Sequence, residues 1–168
     1  MSASVPRGIL VAEIRVGLGF DVHPRGPGRP LLLGAVAFEG EDGLAGHSDG
    51  DAVCHALADA LLGAAALGDV GELFPDTDPA TQGIGGDVLL ARVVEMVRER
   101  GSRVRSADLT VIAMTPAISP RRDEIRTRLA ALLSVEQGRV SVKATRPEGL
   151  GLTGEGIGCL ALAVLETP

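Results

Sequence analysis

A chain of 168 residues with 45% hydrophobic side chains suffices for one domain with its own core, yet aromatics make up only 2% and neither Trp nor Tyr occurs. A formal charge of −6 offers no positive field to nucleic acid, and so few rings cannot build a stacking platform for single-stranded bases. The opening MSASVPRGILVAEI has no long apolar run before a small-residue cleavage site, and no later run approaches a membrane span, so a soluble, cytoplasmic chain without membrane or nucleic-acid partners is expected, with residues 1–13 a loosely attached extension.

In chain order, IRVGLGFDV (14–22) alternates as a strand, with glycines where another element approaches the backbone. PLLLGAVAFEG (30–40) predicts strand pieces, a hairpin with a bulge at Gly34. The strongest helix runs over 49–67, capped by Ser48 or Asp49 and stopped by Gly68. Its Val53, Leu57, Ala60, Leu61 and Ala64 share one face, while Asp51, His55 and Asp59 lie opposite, which puts His55 outside the apolar stripe. Residues 68–83 predict an acidic loop and 84–100 a second helix. A strand follows at 106–114, then a helix at 119–134 with Ser119 as cap and Pro120 at its first position. Strands at 139–145 and 156–166 complete a single sheet covered by helices on one face. Cys54 and Cys159 form neither a metal-ligand pair nor a disulfide framework and are expected as buried free thiols.

All three histidines, His23, His47 and His55, fall in one early segment. Asp21 and His23 are two apart on a strand and project to the same face, and His55 comes from a helix able to pack over it. Two imidazoles and a carboxylate form a three-ligand zinc set with an open fourth position. The alternative is a polar strand-end pair, with His55 bonded to Asp51 or Asp59 one helical turn away. HSDGD (47–51) precedes a helix N-terminus and suits an anion, or is simple capping. FPDTDP (74–79) reads equally as a binder of a hydroxylated substrate and as a solvated turn. KATRPEGLGLTGEG (143–156) reads as a phosphate-contacting turn or as a glycine-rich connection.

Together GFDVHP, AGHSDGDAVCHALADALLGAAALGDVGELFPDTDP and VKAT…EGLGLTG resemble the 2-C-methyl-D-erythritol 2,4-cyclodiphosphate synthase family, over nearly the whole chain from Arg15 onward. The resemblance implies an α+β fold in one domain over residues 14–168: a four-stranded mixed sheet with helices on one face, assembled as a homotrimer with active sites between subunits. The implied reaction cyclises a cytidine diphosphate ester of methylerythritol 2-phosphate and releases CMP. Asp21, His23 and His55 match zinc ligands, one ion per site. Glu148 matches the ligand of a second divalent ion, Mg²⁺ or Mn²⁺, carried with the substrate diphosphate.

The remaining matches are substrate contacts. Asp21, Val22 and His23 lie beside the metal. His47 and Ser48 match contacts to the 2-phosphate, with His47 stabilising the transition state. Asp69, Val70 and Gly71 match the binder of the methylerythritol hydroxyls, and Phe74, Pro75, Asp76, Thr77 and Asp78 a neighbouring loop. Ala113, Met114, Thr115, Pro116, Ala117, Ile118 and Ser119 occupy the segment that cradles cytosine, while Lys143, Thr145, Glu148 and Leu152 belong to the phosphate turn. This chain departs from the family at ATRPEG and TGEGIG. There Arg146 replaces a catalytic threonine, Pro147 removes an N–H, and the second segment is shorter and lacks an arginine that helps line a threefold-axis cavity. The alternatives are a zinc phosphohydrolase using the same three ligands and, because of these departures, a non-catalytic binding trimer impaired at residues 145–156.

Overall fold

In a computed structural model, the described residues are 12–167 except 76, 79, 80, 82, 152 and 154. The expected contacts Asp76 and Leu152, and most of the expected N-terminal extension, therefore lie outside the described residues.

Strand β1 (Glu13–His23) pairs antiparallel with β6 (Ile157–Thr167), Asp21 lying opposite Cys159. β6 pairs antiparallel with β4 (Arg103–Ile112), which in turn pairs parallel with β5 (Val140–Thr145), giving the order β1-β6-β4-β5. The sheet is thus mixed, as expected. Helix α1 (Ala52–Ala65) packs on β1 and β6, α3 (Gly86–Glu99) on α1, and α4 (Arg122–Leu133) on β5. Leucine, valine, isoleucine and alanine from these layers fill the core. The opposite face leaves Ile14, Val16, Leu18 and Phe20 of β1 and Leu160 and Leu162 of β6 exposed. No helix among the described residues is long and apolar enough to cross a membrane.

The pairing of α1 with β1 depends on two glycines. A Cβ on Gly17 would sit 1.9 Å from the Ala60 carbonyl oxygen, and one on Gly19 would sit 2.0 Å from that of Ala56. Alternation along β1 puts both glycines on the same face as Asp21 and His23. The close approach that they permit carries α1, and with it His55, over the end of the strand.

Several local expectations need correction. Gly34 lies in the turn between β2 (Arg25–Leu32) and β3 (Ala37–Leu44), with φ +62°, and the register irregularities fall instead around Pro30. Helix α1 is capped by Asp51 rather than Ser48 or Asp49, and it ends at Ala66 in the left-handed conformation rather than at Gly68. A one-turn helix, α2 (Val70–Leu73), capped by Asp69, interrupts the expected 68–83 loop. Ser119 opens a 3₁₀ turn (Ser119–Arg121) that contains Pro120 and leads into α4, so Ser119 does not cap the α-helix itself.

The polar face expected on α1 is also largely buried, because the sheet, α3 and the hairpin surround the helix. Asp51 is fully buried, and Oδ1 accepts hydrogen bonds from the N–H groups of Val53, Cys54 and Gly34, while Oδ2 accepts from Ala35 at 2.7 Å. One carboxylate therefore caps the central helix and fastens the β2–β3 turn to it. Asp51→Ala is expected to cost at least ~3 kcal/mol, since it strands several buried donors at once, and Asp51→Asn less, because an amide oxygen still accepts. Urea unfolding of both variants checks the order.

Candidate functional site

The end of β1 and the start of α1 bring Asp21, His23 and His55 together, with one ligand atom from each lying within 4.8 Å of the others. His23 Nε2 is 2.8 Å from Asp21 Oδ2 and 3.3 Å from His55 Nδ1, and His55 Nδ1 is 3.4 Å from the same oxygen.

The outer ring nitrogens assign the inner ones. His23 Nδ1 donates to the Ala45 carbonyl at 2.9 Å, which leaves the lone pair on Nε2 in the neutral ring. His55 Nε2 is 3.2 Å from the Ser48 hydroxyl, which also accepts from the Gly50 N–H. With Nε2–H donating to Ser48, the lone pair of His55 is on Nδ1. Three lone-pair atoms thus face one another, and Asp21 Oδ2 is buried without completing a hydrogen bond. Such a set fits a divalent cation. Two imidazoles and a carboxylate are ordinary zinc donors, and the outer partners of both rings are the supports that hold metal-bound histidines in place.

The carboxylate and the imidazoles also act on one another's charge. Burial alone would lift the Asp21 carboxyl, but the two imidazoles outweigh it and hold the group down to about 2. The Asp21 carboxylate in turn raises His23 above the ordinary imidazole value, against the opposing effect of burial.

The triad opens into a cavity of about 280 Å³. Of the expected residues, His47, Ser48, Val70, Gly71 and Phe74 line it beside the three ligands. Asp69 does not, because its carboxylate caps α2 by accepting from the Glu72 N–H. Val22 points to the exposed face of the sheet, and Pro75, Thr77 and Asp78 lie outside the cavity lining.

Asp59, one helical turn after His55, also lines the cavity and was not anticipated as a site residue. Its Oδ1 accepts from the Val70 N–H at 2.8 Å, fastening α2 to the cavity wall. Burial raises its carboxyl above the usual range despite that bond, with the Asp69 and Asp21 charges adding to the rise. The i+4 spacing from His55 was the available signal. Thr81, Ile84 and Leu89 complete the wall from more distant segments and carried no such mark.

A second cavity of about 370 Å³ lies at the ends of β4 and β5. Its lining contains every expected residue from Ala113 to Ser119, together with Ala144, Thr145 and Arg146. No residue is shared between the two cavity walls. Lys143 and Glu148 line neither cavity. Lys143 is paired with Asp108 of the neighbouring strand, and Glu148 is exposed with φ +49°. The two cysteines are buried free thiols, pushed up by burial and so inert as nucleophiles.

The YgbB family model matches residues 14–167. A curated relative from Anaeromyxobacter dehalogenans, named bifunctional enzyme IspD/IspF, is 48% identical over 95% of this chain and 42% of its own length. The chain thus spans less than half of the bifunctional relatives that it matches. A relative from Alcanivorax borkumensis, named 2-C-methyl-D-erythritol 2,4-cyclodiphosphate synthase, is 49% identical over 94% of this chain and 99% of its own. A solved structure of a synthase of that name, described as its CDP-bound form, superposes with a TM-score of 0.83 at 37% identity, covering 90% of this chain and 99% of the other.

Proposed function

The chain belongs to the YgbB family, and on that premise we propose that it converts 4-diphosphocytidyl-2-C-methyl-D-erythritol 2-phosphate into 2-C-methyl-D-erythritol 2,4-cyclodiphosphate and CMP, a phosphorus–oxygen lyase step of non-mevalonate isoprenoid precursor synthesis. The observation that carries this reading is the convergence of three lone-pair ligands at the mouth of a cavity. In the reaction an oxygen of the 2-phosphate attacks the β-phosphorus. The bond from that phosphorus to the bridging oxygen breaks, and CMP departs with the electron pair. No water enters.

Zinc held by Asp21, His23 and His55 would supply Lewis acidity and neutralise phosphate charge. The chain's own part is alignment. Ser48 and the Ala45 carbonyl fix the two rings, and His47 and the Ser48 hydroxyl stand where an anion entering the cavity meets them. Gly71 in the cavity wall takes the methylerythritol hydroxyls, with α2 capped by Asp69 and held by Asp59. Cytosine occupies the 113–119 cavity. Arg146 in its wall gives a charge-assisted contact to the diphosphate in place of a threonine hydroxyl. Glu148, exposed on the same turn, would hold the Mg²⁺ or Mn²⁺ that travels with the substrate and would neutralise its diphosphate charge.

Two separate half-sites on one chain, and an apolar sheet face without a cover, support a homotrimer in which the metal cavity of one subunit meets the cytosine cavity of the next. Mixed trimers test this arrangement. His55→Ala removes the metal half, and Ala117→Trp fills the cytosine half. Each variant alone is expected to be inactive, whereas co-refolded one to one they recover about a quarter of the sites by random assortment in a closed ring. No recovery of CMP release in the mixture would contradict a shared site.

A further inference from the structure

The exposed stretch in the wall of the second cavity is gripped by a side chain that is not part of that wall. Ala113 and Ile118 are buried, and the Ala113 N–H donates to the Thr145 carbonyl, but Met114, Thr115 and Ala117 between them are exposed. Arg25 reaches this exposed stretch from 90 residues away in sequence. Its Nη2 donates to the Thr115 carbonyl at 2.5 Å and to the Thr115 hydroxyl at 3.0 Å, while Nη1 donates to the Asp42 carbonyl at 2.6 Å. Glu41 stands 3.8 Å from the same guanidinium and offsets its charge. Arg25 lines neither cavity, so it acts on the wall from behind.

We propose that Arg25 is a positioning residue for the nucleotide: it fixes the 114–117 stretch in the shape that receives the base, and its loss weakens nucleotide binding while leaving the metal centre intact. The planar guanidinium suits this task, since two nitrogens of one rigid fork reach two backbone carbonyls on different segments, whereas an ammonium has a single nitrogen from which to reach both. The anchor at its other end is equally firm. Arg25 opens β2 directly after Pro24, whose carbonyl accepts from the Ala45 N–H, and the Ala45 carbonyl in turn accepts from His23. The inference rests on the cytidine reading above. If the sites are shared between subunits, one chain's Arg25 ties the metal strand of one site to the nucleotide wall of its neighbour.

The test uses the zinc-loaded full chain, with CMP as the titrant in calorimetry and amide hydrogen exchange as a second readout. Arg25→Ala is expected to raise the CMP Kd by about tenfold or more, as charged hydrogen bonds warrant, and to speed exchange within 114–117. Zinc content should be unchanged, and in turnover KM should rise with kcat nearly constant. Arg25→Lys should recover only part of the affinity. A parent chain that binds CMP, with an Arg25→Ala variant that binds it equally well or exchanges no faster at 114–117, overturns the inference alone. Loss of zinc alongside CMP affinity overturns it as well, since the effect would then be a general one. A parent with no affinity for CMP overturns the cytidine reading and this inference with it.

Discussion

His55→Ala and Asp21→Asn are each expected to lower zinc affinity by more than about a hundredfold, because loss of an outer partner alone already costs 10–100-fold. CMP release should fall by on the order of 10³-fold or more once the charge that the site supplies to the phosphates is gone. Asp21 Oδ2, His23 Nε2 and His55 Nδ1 point their lone pairs at one another, and no donor lies among them to relieve the repulsion. Ser48→Ala provides the graded comparison: it frees the His55 ring to turn but removes no ligand, so zinc affinity should fall less than in either ligand variant. Zinc content after dialysis and CMP release give the two readouts. Asp21→Asn with undiminished zinc and turnover would remove the metal from the account.

The second large effect lies in the sheet, away from any polar group. Gly19→Ala is expected to destabilise the fold by at least ~3 kcal/mol, because the added methyl would meet the Ala56 carbonyl oxygen at 2.0 Å and the Ala60 nitrogen at 2.6 Å, both of them backbone. A flexible side chain could move aside, but a helix backbone can yield only by lifting α1 from β1. The same displacement would draw His55 away from Asp21 and His23, so residual folded protein should also bind zinc more weakly. Gly63→Ala is the control. Gly63 lies in α1 with nothing within 4 Å of a new Cβ, and the change should stabilise by about 0.5–1 kcal/mol through helix propensity alone. Urea midpoints of the two variants should move in opposite directions.

The strands of the four-stranded sheet, the central helix and the candidate triad were legible because each has a local signature. β1 alternates, α1 shows an apolar run at helical spacing, and D-x-H on a strand fixes a shared face. What was not legible depended on distant partners. Ser48, Asp49 and Asp51 are all chemically suitable caps, and Asp51 prevails because its carboxylate also meets the Gly34 and Ala35 N–H groups. The β2 sequence RGPGRPLL contains two prolines and two glycines, unlike a strand by composition, yet it pairs with β3 through irregular register. Asp59 read only as part of the polar face of α1 and a possible partner of His55, and its bond from the Val70 N–H depends on α2. The assignment of 113–119 to a site came from family resemblance, and nothing nearby in sequence marks Arg25 as its support.

The central claim is that the nucleophile is the substrate's own 2-phosphate, and running the reaction in ¹⁸O-enriched water tests it most directly. Phosphorus NMR of the turnover products should show one CMP for each cyclic diphosphate, with the 2-phosphate monoester signal lost in step and no ¹⁸O shift on either product. Release of CMP with the 2-phosphate monoester left intact, and ¹⁸O in a product phosphate, would mean that water attacks and that the chain is a phosphohydrolase.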